Sequence, residues 1–432
     1  MSYELAEHSL RSLCLLVVDC PHATPKWTDS GVVVLRNQNI KGGRLDLSSP
    51  SFTDEEHYQG RVRRAVPQGG DIVMTREAPM GDVCQLPQGL RCCVGQRQVL
   101  LRPDPKKVDG RFLLFALQSP YLQHQIGWNE GTGSTVSNLR IPVLEALRVP
   151  TPPLPDQLEI AATLGALDDR IALLRETNAT LEAIAQALFK SWFVDFDPVR
   201  AKQQGLAPAG MDEATAALVP DSFEESALGL APKGWRQGTV SDFAQMHRGS
   251  VNPGGNGDTV FEHFSLPAFD AGQMPVRELG AEIKSNKTAV PRDAVLLSKL
   301  NPHIPRVWLP VDAGPHAVCS TEFLVFVPAA GASREFAYCS FVAALFQERL
   351  RQLVTGTSNS HQRVKAGGVA TLSAVVPPGQ ALDAFTSVVR PVFERVGRNR
   401  LQAQTLATLR DTLLPRLISG QLRVPISELE AA

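Results

Sequence analysis

The sequence contains no long hydrophobic run and no recognisable export signal. Apolar runs such as residues 13–18 and 32–35 are far short of the roughly 20 residues that a membrane-spanning helix needs. The first ten residues, MSYELAEHSL, lack the basic start and the apolar core of a signal peptide. We therefore expect a cytoplasmic protein without a membrane partner.

Cysteine is sparse and irregularly placed. Seven cysteines occur in 432 residues, none with C-x-x-C spacing, and only Cys92 and Cys93 are adjacent. An odd number at irregular spacing predicts reduced, buried thiols, and a zinc site is the alternative.

The motifs of common catalytic sites are also missing. There is no G-x-x-x-x-G-K-[ST] phosphate loop, which argues against ATP hydrolysis. There is no N-P-P-[YF] or D-P-P-[YF] tetrapeptide and no glycine-rich loop for S-adenosylmethionine, and a base-modifying methyltransferase would need both. The nine histidines lack H-E-x-x-H or His-Cys spacing, and Ser134-Thr135 has no convincing base partner. We predict a non-catalytic protein with neither a metal ion nor a cofactor.

The net charge of −1 conceals an uneven distribution. Residues 154–232 hold 5 Lys and Arg against 13 Asp and Glu, whereas residues 1–153 hold 17 against 15 and residues 233–376 hold 14 against 11. The two larger segments are mildly basic, which permits nucleic-acid binding without requiring it.

A long heptad pattern organises the chain. Between residues 152 and 193, apolar residues recur at alternating intervals of four and three, with Asn178 and Ala185 at the two remaining seam positions. The pattern predicts a helix of about 40 residues whose narrow seam needs a partner helix. The apolar seam residues are Ile160, Leu164, Leu167, Ile171, Leu174, Leu181, Leu188 and Trp192.

The same pattern returns 225 residues later. This offset also maps the Pro-Pro pair at 152–153 onto the pair at 377–378. We therefore predict an internal duplication with the order domain, long helix, domain, long helix. The second helix is weaker, because Asn399 and Arg410 interrupt its seam. Its other seam residues are Phe385, Val389, Val392, Val396, Ala403, Leu406, Leu413 and Leu417.

The rest of the chain predicts short strands and helices. Residues 32–35, 71–74 and 98–101 have the composition of strands, and residues 110–125 have helical spacing. The second domain repeats this order, with a strand over 295–299 and a helix over 336–353. Residues 198–232 are rich in Pro, Gly and Ala and predict a partly ordered linker.

Several passages occur in a fixed order along the chain. They are DCPHATPKW at 19–27, GVVVLR at 31–36, GDIVMTR at 70–76, a polar hinge at 131–138, a run from 152 to 196 ending LFKSWFVDF, PKGW at 232–235 and LLPRLISG at 413–420. Taken together, they resemble the specificity (S) subunits of Type I restriction-modification systems over essentially the full length.

The resemblance implies an α+β chain. Two mixed α/β target-recognition domains, residues 1–153 and 233–376, would be separated by two long helices that form an antiparallel coiled coil. The helical regions would be residues 154–197 and 377–432, with the linker at 198–232.

The resemblance also implies a function in phage defence. The chain would be a non-catalytic subunit that binds a bipartite double-stranded DNA target, one half through each domain. Its partners would be two methyltransferase (modification) subunits and, in the full complex, restriction/translocase subunits. The alternative is a coiled-coil scaffold whose two domains bind protein partners and not DNA.

If the domains bind DNA, contacts should come from polar and basic side chains in loops, because a packed core cannot reach a groove. Arg61, Arg63 and Arg64 form the densest basic cluster and are our first expectation for phosphate contacts, although any of them could be a solvated surface charge. Trp27 is expected to be a partly buried anchor of its loop, with base stacking as the alternative. The first-domain candidates are His22, Thr24, Lys26, Arg36, Asn37, Asn39, Arg61, Arg63, Arg64, Thr75, Arg76, Ser134 and Thr135. The second-domain candidates are Arg248, Asn252, Ser298, Lys299, Asn301, Ser358, Asn359, His361, Gln362 and Arg363.

The end of the first long helix carries more apolar surface than one seam can bury. Its side chains either pack into the neighbouring recognition domain or receive a methyltransferase subunit, and we expect both uses. Asn178 is expected either to fix helix register by pairing with a polar partner or to be solvated at the seam edge. The partner-binding candidates are Leu188, Phe189, Trp192, Phe193 and Phe196.

Overall fold

The computed structural model describes residues 5–128, 138–226, 229–355 and 362–423. The chain divides into unit 1, comprising Met1–Ile171 with Thr405–Ala432, and unit 2, comprising Ala172–Gln404. Across the four described stretches, no helix combines the length and the apolar character needed to cross a membrane.

Unit 1 mixes short strands with helices. Its strands are β1 (Glu7–Ser9), β2 (Cys14–Asp19), β3 (Val32–Leu35), β4 (Ile40–Lys41), β5 (Arg44–Leu45), β6 (Ser51–Thr53), β7 (Ile72–Arg76), β8 (Met80–Gln85), β9 (Cys92–Val94), β10 (Gln98–Pro103) and β11 (Arg148–Pro150). Its helices are α1 (Leu10–Leu13), α2 (Glu55–Arg61), α3 (Gly110–Gln118), α4 (Pro120–Gly127), α5 (Ile141–Ala146) and the start of α6 (Leu154–Phe193), which ends in unit 2. The strands predicted over 32–35, 71–74 and 98–101 are confirmed.

A four-stranded antiparallel sheet, in the order β2-β10-β7-β8, forms the centre of unit 1. Strand β7 is buried along its whole length, and its side chains alternate between the two faces of the sheet. Ile72 and Met74 share a core with Phe112 of α3. Val73 shares a different core with Leu35 of β3, which belongs to a second sheet in the order β6-β3-β9. Both faces of β7 are therefore covered, which explains why its first three residues are consecutive apolar side chains.

The helix predicted over 110–125 is two helices. Ser119 has extended backbone (φ −64°, ψ 147°) and separates α3 from α4. A residue before proline is disfavoured in helical conformation, and Ser119 instead caps α4 by accepting a hydrogen bond from the Leu122 amide at 3.4 Å. The prediction of one continuous helix is wrong here, and the Ser119-Pro120 step is the local cause.

Unit 2 contains the remaining elements. Its strands are β12 (Phe223–Ser226), β13 (Gly229–Pro232), β14 (Arg236–Thr239), β15 (Ala244–His247), β16 (Ser250–Val251), β17 (Val260–Phe264), β18 (Val276–Leu279), β19 (Lys287–Ala289), β20 (Val295–Ser298), β21 (Val307–Trp308), β22 (Ala317–Cys319), β23 (Phe323–Pro328), β24 (Val354–Thr355), β25 (Arg363–Val364) and β26 (Ser373–Val376). Its helices are α7 (Asp197–Gln203), α8 (Glu213–Ala217), α9 (Leu266–Asp270), α10 (Arg334–Val342), α11 (Ala344–Gln352), α12 (Ala366–Ala370) and the start of α13 (Gly379–Ile418), which ends in unit 1.

Two predictions for unit 2 change in detail. The helix predicted over 336–353 is again two helices, α10 and α11, which meet at Ala343 in non-helical conformation (ψ 137°). The predicted linker at 198–232 contains α7, α8, β12 and β13 and is more ordered than expected.

The strand order of unit 1 recurs in unit 2. The central antiparallel sheet of unit 2 has the order β15-β23-β20-β21, and β17 pairs in parallel with β22 as β3 does with β9. Strands β10 and β11 and helices α5 and α6 each begin 225 residues before β23, β26, α12 and α13 respectively. The two units therefore share the order of their central sheet and one parallel strand pair.

The two long helices, each of 40 residues, contact each other inside both units. In unit 1, the start of α6 shares a core with the end of α13. In unit 2, Asn178 is hydrogen-bonded to Asn399 at 2.8 Å, and the rings of Phe189 and Phe385 are 6.0 Å apart. The partner's number falls as the number along α6 rises, so the helices are antiparallel in unit 2.

Candidate functional site

The loop between β2 and β3 carries three of the candidate side chains of unit 1. Residues 20–27, which we call the 20–27 loop, contain no helix or strand. His22, Thr24 and Lys26 are all exposed on it. The loop therefore presents polar groups to solvent from an irregular segment of backbone.

Side chains from other parts of unit 1 hold the backbone of this loop. The Arg61 guanidinium donates hydrogen bonds to the carbonyl oxygens of Pro21 (3.3 Å) and Ala23 (2.9 Å). The Gln96 side-chain amide donates to the carbonyl oxygen of His22 at 2.5 Å. Three successive carbonyls thus have side-chain donors, which orders the loop without strand pairing.

The structure separates the three arginines that the sequence grouped together. Arg61 is 8% exposed and also donates to the Val94 carbonyl at 3.0 Å. Arg63 and Arg64 are exposed and form no ion pair within the part of the chain that the structure describes. Two of the three cations are therefore available to a phosphate.

Lys26 is a weaker candidate cation because an ionised carboxylate lies beside it. Its Nζ is 3.3 Å from the Asp54 carboxylate. The hydrogen bond that the backbone amide of His57 donates, assisted by the His57 ring, lowers the pKa of Asp54 to about 2. Asp54 is consequently charged at neutral pH and offsets the charge of Lys26.

Trp27 and Arg36 form an exposed pair. The Trp27 side chain is 47% exposed, and the Arg36 guanidinium lies over its ring, 5.3 Å from the centroid. Such a pair combines a positive charge with a flat apolar face. Trp27 is therefore partnered on one side and open enough to contact another molecule.

Three further candidates of unit 1 have their polar atoms bound internally. Asn39 is 3% exposed and donates to a backbone carbonyl at 2.9 Å. Thr75 is 0% exposed, and its hydroxyl oxygen accepts from the Asp82 amide at 3.0 Å. Asn37 is half-buried and donates to the Glu77 carbonyl at 2.6 Å. These groups stabilise the loops and are poorly placed to contact bases.

Arg76 also acts as an internal tie. It is 6% exposed and forms a 2.6 Å ion pair with Asp19 at the end of β2. It donates to the Leu139 carbonyl at 2.8 Å and to Asn138 Oδ1 at 3.2 Å. Arg76 therefore joins the ends of β2 and β7 to the segment that precedes α5.

In unit 2, the end of β20 meets β25. The Asn301 amide donates to the Gln362 carbonyl at 2.8 Å, and Asn301 has a left-handed backbone (φ 50°). Lys299 is half-buried, and Arg363 is exposed. Arg363 pairs with Glu322 through three hydrogen bonds of 3.0 to 3.3 Å, which raise the pKa of Arg363. The structure thus brings four candidates of unit 2 together, one of them already paired with a carboxylate.

The remaining candidates of unit 2 differ in exposure. Ser298 is 3% exposed, and its hydroxyl is hydrogen-bonded to the Leu300 backbone. Arg248 and Asn252 are exposed beside β16. Predictions for Ser134, Thr135, Ser358, Asn359 and His361 fall outside the described residues and stay predictions.

The apolar end of α6 lies in the core of unit 2. Phe189, Trp192, Phe193 and Phe196 are each 5–9% exposed, and Leu188 packs against the same core. The Phe193 ring lies 5.0 Å from that of Phe385 in α13 and 5.2 Å from that of Phe336 in α10. These contacts leave the four aromatic rings little surface for a partner. We therefore correct the expectation that they both pack into the neighbouring domain and bind a methyltransferase subunit.

The described residues contain no group of three or more His, Cys, Asp or Glu side chains that could hold a metal ion. The seven cysteines are buried and unpaired. Burial raises the pKa of the thiols of Cys14, Cys84, Cys92 and Cys319 to about 12. These thiols are protonated at neutral pH and are poor nucleophiles or metal ligands.

Sequence reasoning missed the role of Gln96 and misassigned that of Arg61. Gln96 contacts a residue 74 positions away, and an isolated glutamine gives no local signal for such a contact. For Arg61, the missing information is again tertiary, because its carbonyl partners lie 33 to 40 positions away.

Comparisons with known proteins agree with the sequence resemblance. Residues 27–183 match the family model for the Type I restriction modification DNA specificity domain. The Type I restriction enzyme MjaIX specificity subunit of Methanocaldococcus jannaschii is 25% identical over 368 residues, covering 82% of this chain and 78% of the relative. The HindI specificity subunit of Haemophilus influenzae is 26% identical over 342 residues, covering 68% of this chain and 73% of the relative.

A solved structure shares the fold over nearly the whole chain. The crystal structure of a Type I restriction-modification system S subunit from M. genitalium aligns with a TM-score of 0.56 at 14% identity, covering 96% of this chain and 97% of that one. Sequence and domain comparisons reach the same group of proteins, and the chain is similar over most of its length to specificity (S) subunits of Type I restriction-modification systems.

Proposed function

We propose that this chain is the DNA sequence-recognition subunit of a Type I restriction-modification complex. It binds double-stranded DNA through two domains, residues 1–153 and 233–376, and each domain recognises one half of a bipartite target. The observation that carries the proposal is the recurrence of one strand order in both units of a chain similar to this family. Two copies of one fold with different surface side chains are suited to two different half-sites.

In the first domain, we assign DNA contacts to the exposed candidates around the 20–27 loop. Arg63 and Arg64 contact phosphates, because they are exposed cations without a carboxylate partner among the described residues. His22 and Thr24 contact base edges, because they carry donors and acceptors on an ordered irregular segment. Arg36, stacked on Trp27, adds a charge with a flat face beside it.

In the second domain, we assign contacts to the segments at the end of β20 and at β25. Lys299, Asn301, Gln362 and Arg363 come from two stretches that share backbone hydrogen bonds. Arg363 has to leave Glu322 or share it, so its contribution to phosphate binding is smaller than that of an unpaired arginine. Arg248 adds an exposed cation.

The two long helices, within residues 154–197 and 377–432, form an antiparallel coiled coil that acts as a spacer between the half-sites. This part of the proposal is supported by the contacts between α6 and α13 inside each unit and by polar pairs along them. In unit 1, Arg410 donates to Asp168 at 2.6 Å; in unit 2, Arg400 donates to Glu182 at 2.5 Å. Burial raises the pKa of Glu182 even though Arg400 opposes that shift.

The partners are two methyltransferase subunits, joined by restriction/translocase subunits in the full complex. Large apolar side chains on the outer side of α6 support a partner there. Leu173 and Ile184, both in unit 2, are 51% and 46% exposed. They are 11 residues apart, which places them within about 20° of each other around a helix with 3.6 residues per turn. Exposed apolar side chains aligned on one side of a helix are typical of a surface that packs against another protein.

The test is to purify the chain with cognate methyltransferase subunits and to select bound molecules from a pool of randomised duplexes. We expect one enriched sequence with two specified half-sites and a constant number of unspecified base pairs between them. Affinity should fall as salt concentration rises, because phosphate contacts release counterions. A complex that assembles but enriches no sequence, or enriches one uninterrupted site, would contradict the proposal.

A further inference from the structure

We propose that Arg61 and Gln96 are positioning residues that hold the 20–27 loop in the conformation that recognises one half-site. The inference rests on the proposed function and deepens it, because it names residues that set specificity without touching DNA.

The 20–27 loop receives hydrogen bonds from three side chains outside it. Besides the bonds from Arg61 to the carbonyls on either side of His22, the Gln96 amide also donates to Thr24 Oγ1 at 3.2 Å. Further along, the Thr53 hydroxyl donates to the Lys26 carbonyl at 2.8 Å. Side chains from other segments thus bind the loop backbone, while the side chains of His22 and Thr24 are exposed to solvent.

Arg61 is suited to holding the loop and unsuited to contacting phosphate. It is the last residue of α2 and is 8% exposed. Its third bond, to the Val94 carbonyl at 3.0 Å, ties the loop to the end of β9. A buried charge needs hydrogen-bonding partners, and three carbonyl oxygens accept from the two terminal nitrogens of Arg61, while its Nε has no partner among the described residues.

Two neighbouring arginines make the proposal separable from a simple charge effect. Arg63 lies two residues further along and is exposed. Loss of a phosphate contact weakens binding to every sequence and reduces the salt dependence. Loss of a positioning contact leaves the surface charge intact and lets the loop adopt other conformations, which reduces discrimination between sequences.

The experiment compares Arg61→Met, Gln96→Ala and Arg63→Met in the complex with methyltransferase subunits. Affinity is measured over a range of salt concentrations for the selected target and for duplexes altered in either half-site. For Arg61→Met and Gln96→Ala, we expect discrimination at the half-site read by residues 1–153 to fall by about 10-fold, the effect of one mismatched base pair. Discrimination at the other half-site and the salt slope should stay unchanged. For Arg63→Met, the slope should fall by about 0.9 with discrimination kept.

The outcomes distinguish the positioning role of Arg61 and Gln96 from the proposed DNA-recognition function on which it rests. A wild-type complex without sequence preference overturns both. A wild-type complex that discriminates, with Arg61→Met and Gln96→Ala variants that discriminate equally well, overturns the positioning role alone. A reduced salt slope for Arg61→Met would assign it to phosphate. Should Arg61→Met fail to fold, seen as loss of both half-sites, Gln96→Ala decides, since it removes two loop contacts without exposing a buried charge.

Discussion

A buried pair of amides lies between the long helices in unit 2. Asn178 is 8% exposed and Asn399 is 2% exposed. Asn399 Nδ2 donates to Asn178 Oδ1 at 2.8 Å, and Asn178 Nδ2 donates to the Val396 carbonyl at 3.2 Å. The residue that interrupts the seam of the second helix is therefore the polar partner of the asparagine in the first. Because a shifted register would leave both amides buried without partners, the pair favours one alignment of the helices.

Replacing one amide should cost more than replacing both. We expect Asn178→Leu to lower the free energy of unfolding by about 1–3 kcal/mol, because the Asn399 amide loses its partner in a buried site. The double variant Asn178→Leu, Asn399→Leu should recover most of that loss, since apolar side chains can fill the seam without unsatisfied groups. Urea unfolding of the purified chain measures the free energy of unfolding of the wild type, the single variant and the double variant.

The control for these variants is Gln404→Leu, which replaces an exposed amide on α13, the helix that carries Asn399. It should change stability by no more than about 0.5 kcal/mol. If Asn178→Leu were as mild as this control, the amide pair would contribute nothing to helix alignment.

At the scale of elements, the long helices are the most predictable part of the chain. The seam pattern over 152–193 gives α6 to within two residues of its observed start at Leu154, because a heptad repeat is a local and cumulative signal. The breaks in the shorter helices behave differently. Ser119-Pro120 carried a readable signal in its proline, whereas Ala343 gives no comparable signal before α11.

The site is less predictable than the helices because its partners are distant in sequence. Residue type and position in the sequence were enough to predict that residues such as Arg63 and Thr24 lie exposed in loops. Arg61 and Arg76 have the same composition signal but are buried by contacts with Pro21, Asp19 and other distant residues. A basic residue that the sequence assigns to a DNA-binding surface can therefore be an internal tie instead, and only tertiary structure separates the two roles.

The outer side of α6 carries the prediction for partner binding. We expect the double variant Leu173→Glu, Ile184→Glu to bind methyltransferase subunits at least about 10-fold more weakly, because two charges would be buried in the interface. Both positions are about half exposed, so urea unfolding of the chain itself should change little. Co-purification and titration with the methyltransferase subunits measure the effect.

The matched control is Leu206→Glu, an exposed leucine at 60% that lies outside both long helices. It should leave binding of the methyltransferase subunits unchanged. Equal binding by the α6 variant and this control would move the partner surface away from the outer side of α6.

At the scale of the whole molecule, the two units share a strand order and differ in their candidate surfaces. The central sheets have matching orders, and α6 and α13 begin 225 residues apart. The candidate surfaces differ: the first uses Arg63, Arg64 and the 20–27 loop, whereas the second places Arg363 against Glu322. If the proposed function holds, shared frameworks with different loops predict that each domain recognises its half-site independently of the other.

Exchanging one domain should therefore exchange one half-site. We expect a chimera that carries residues 1–153 from a relative of different specificity to select a bipartite target in which one half-site is new. The other half-site and the number of base pairs between them should be retained, because residues 154–432 are unchanged.

The graft needs a relative with apolar residues where this chain has Leu10 and Phe112, since these share a core with Ile160, Leu164 and Leu417 of the retained helices. The reciprocal exchange of residues 233–376 should replace only the second half-site. Selection from randomised duplexes measures both, and a chimera in which either exchange altered both half-sites would show that the domains do not act as independent readers.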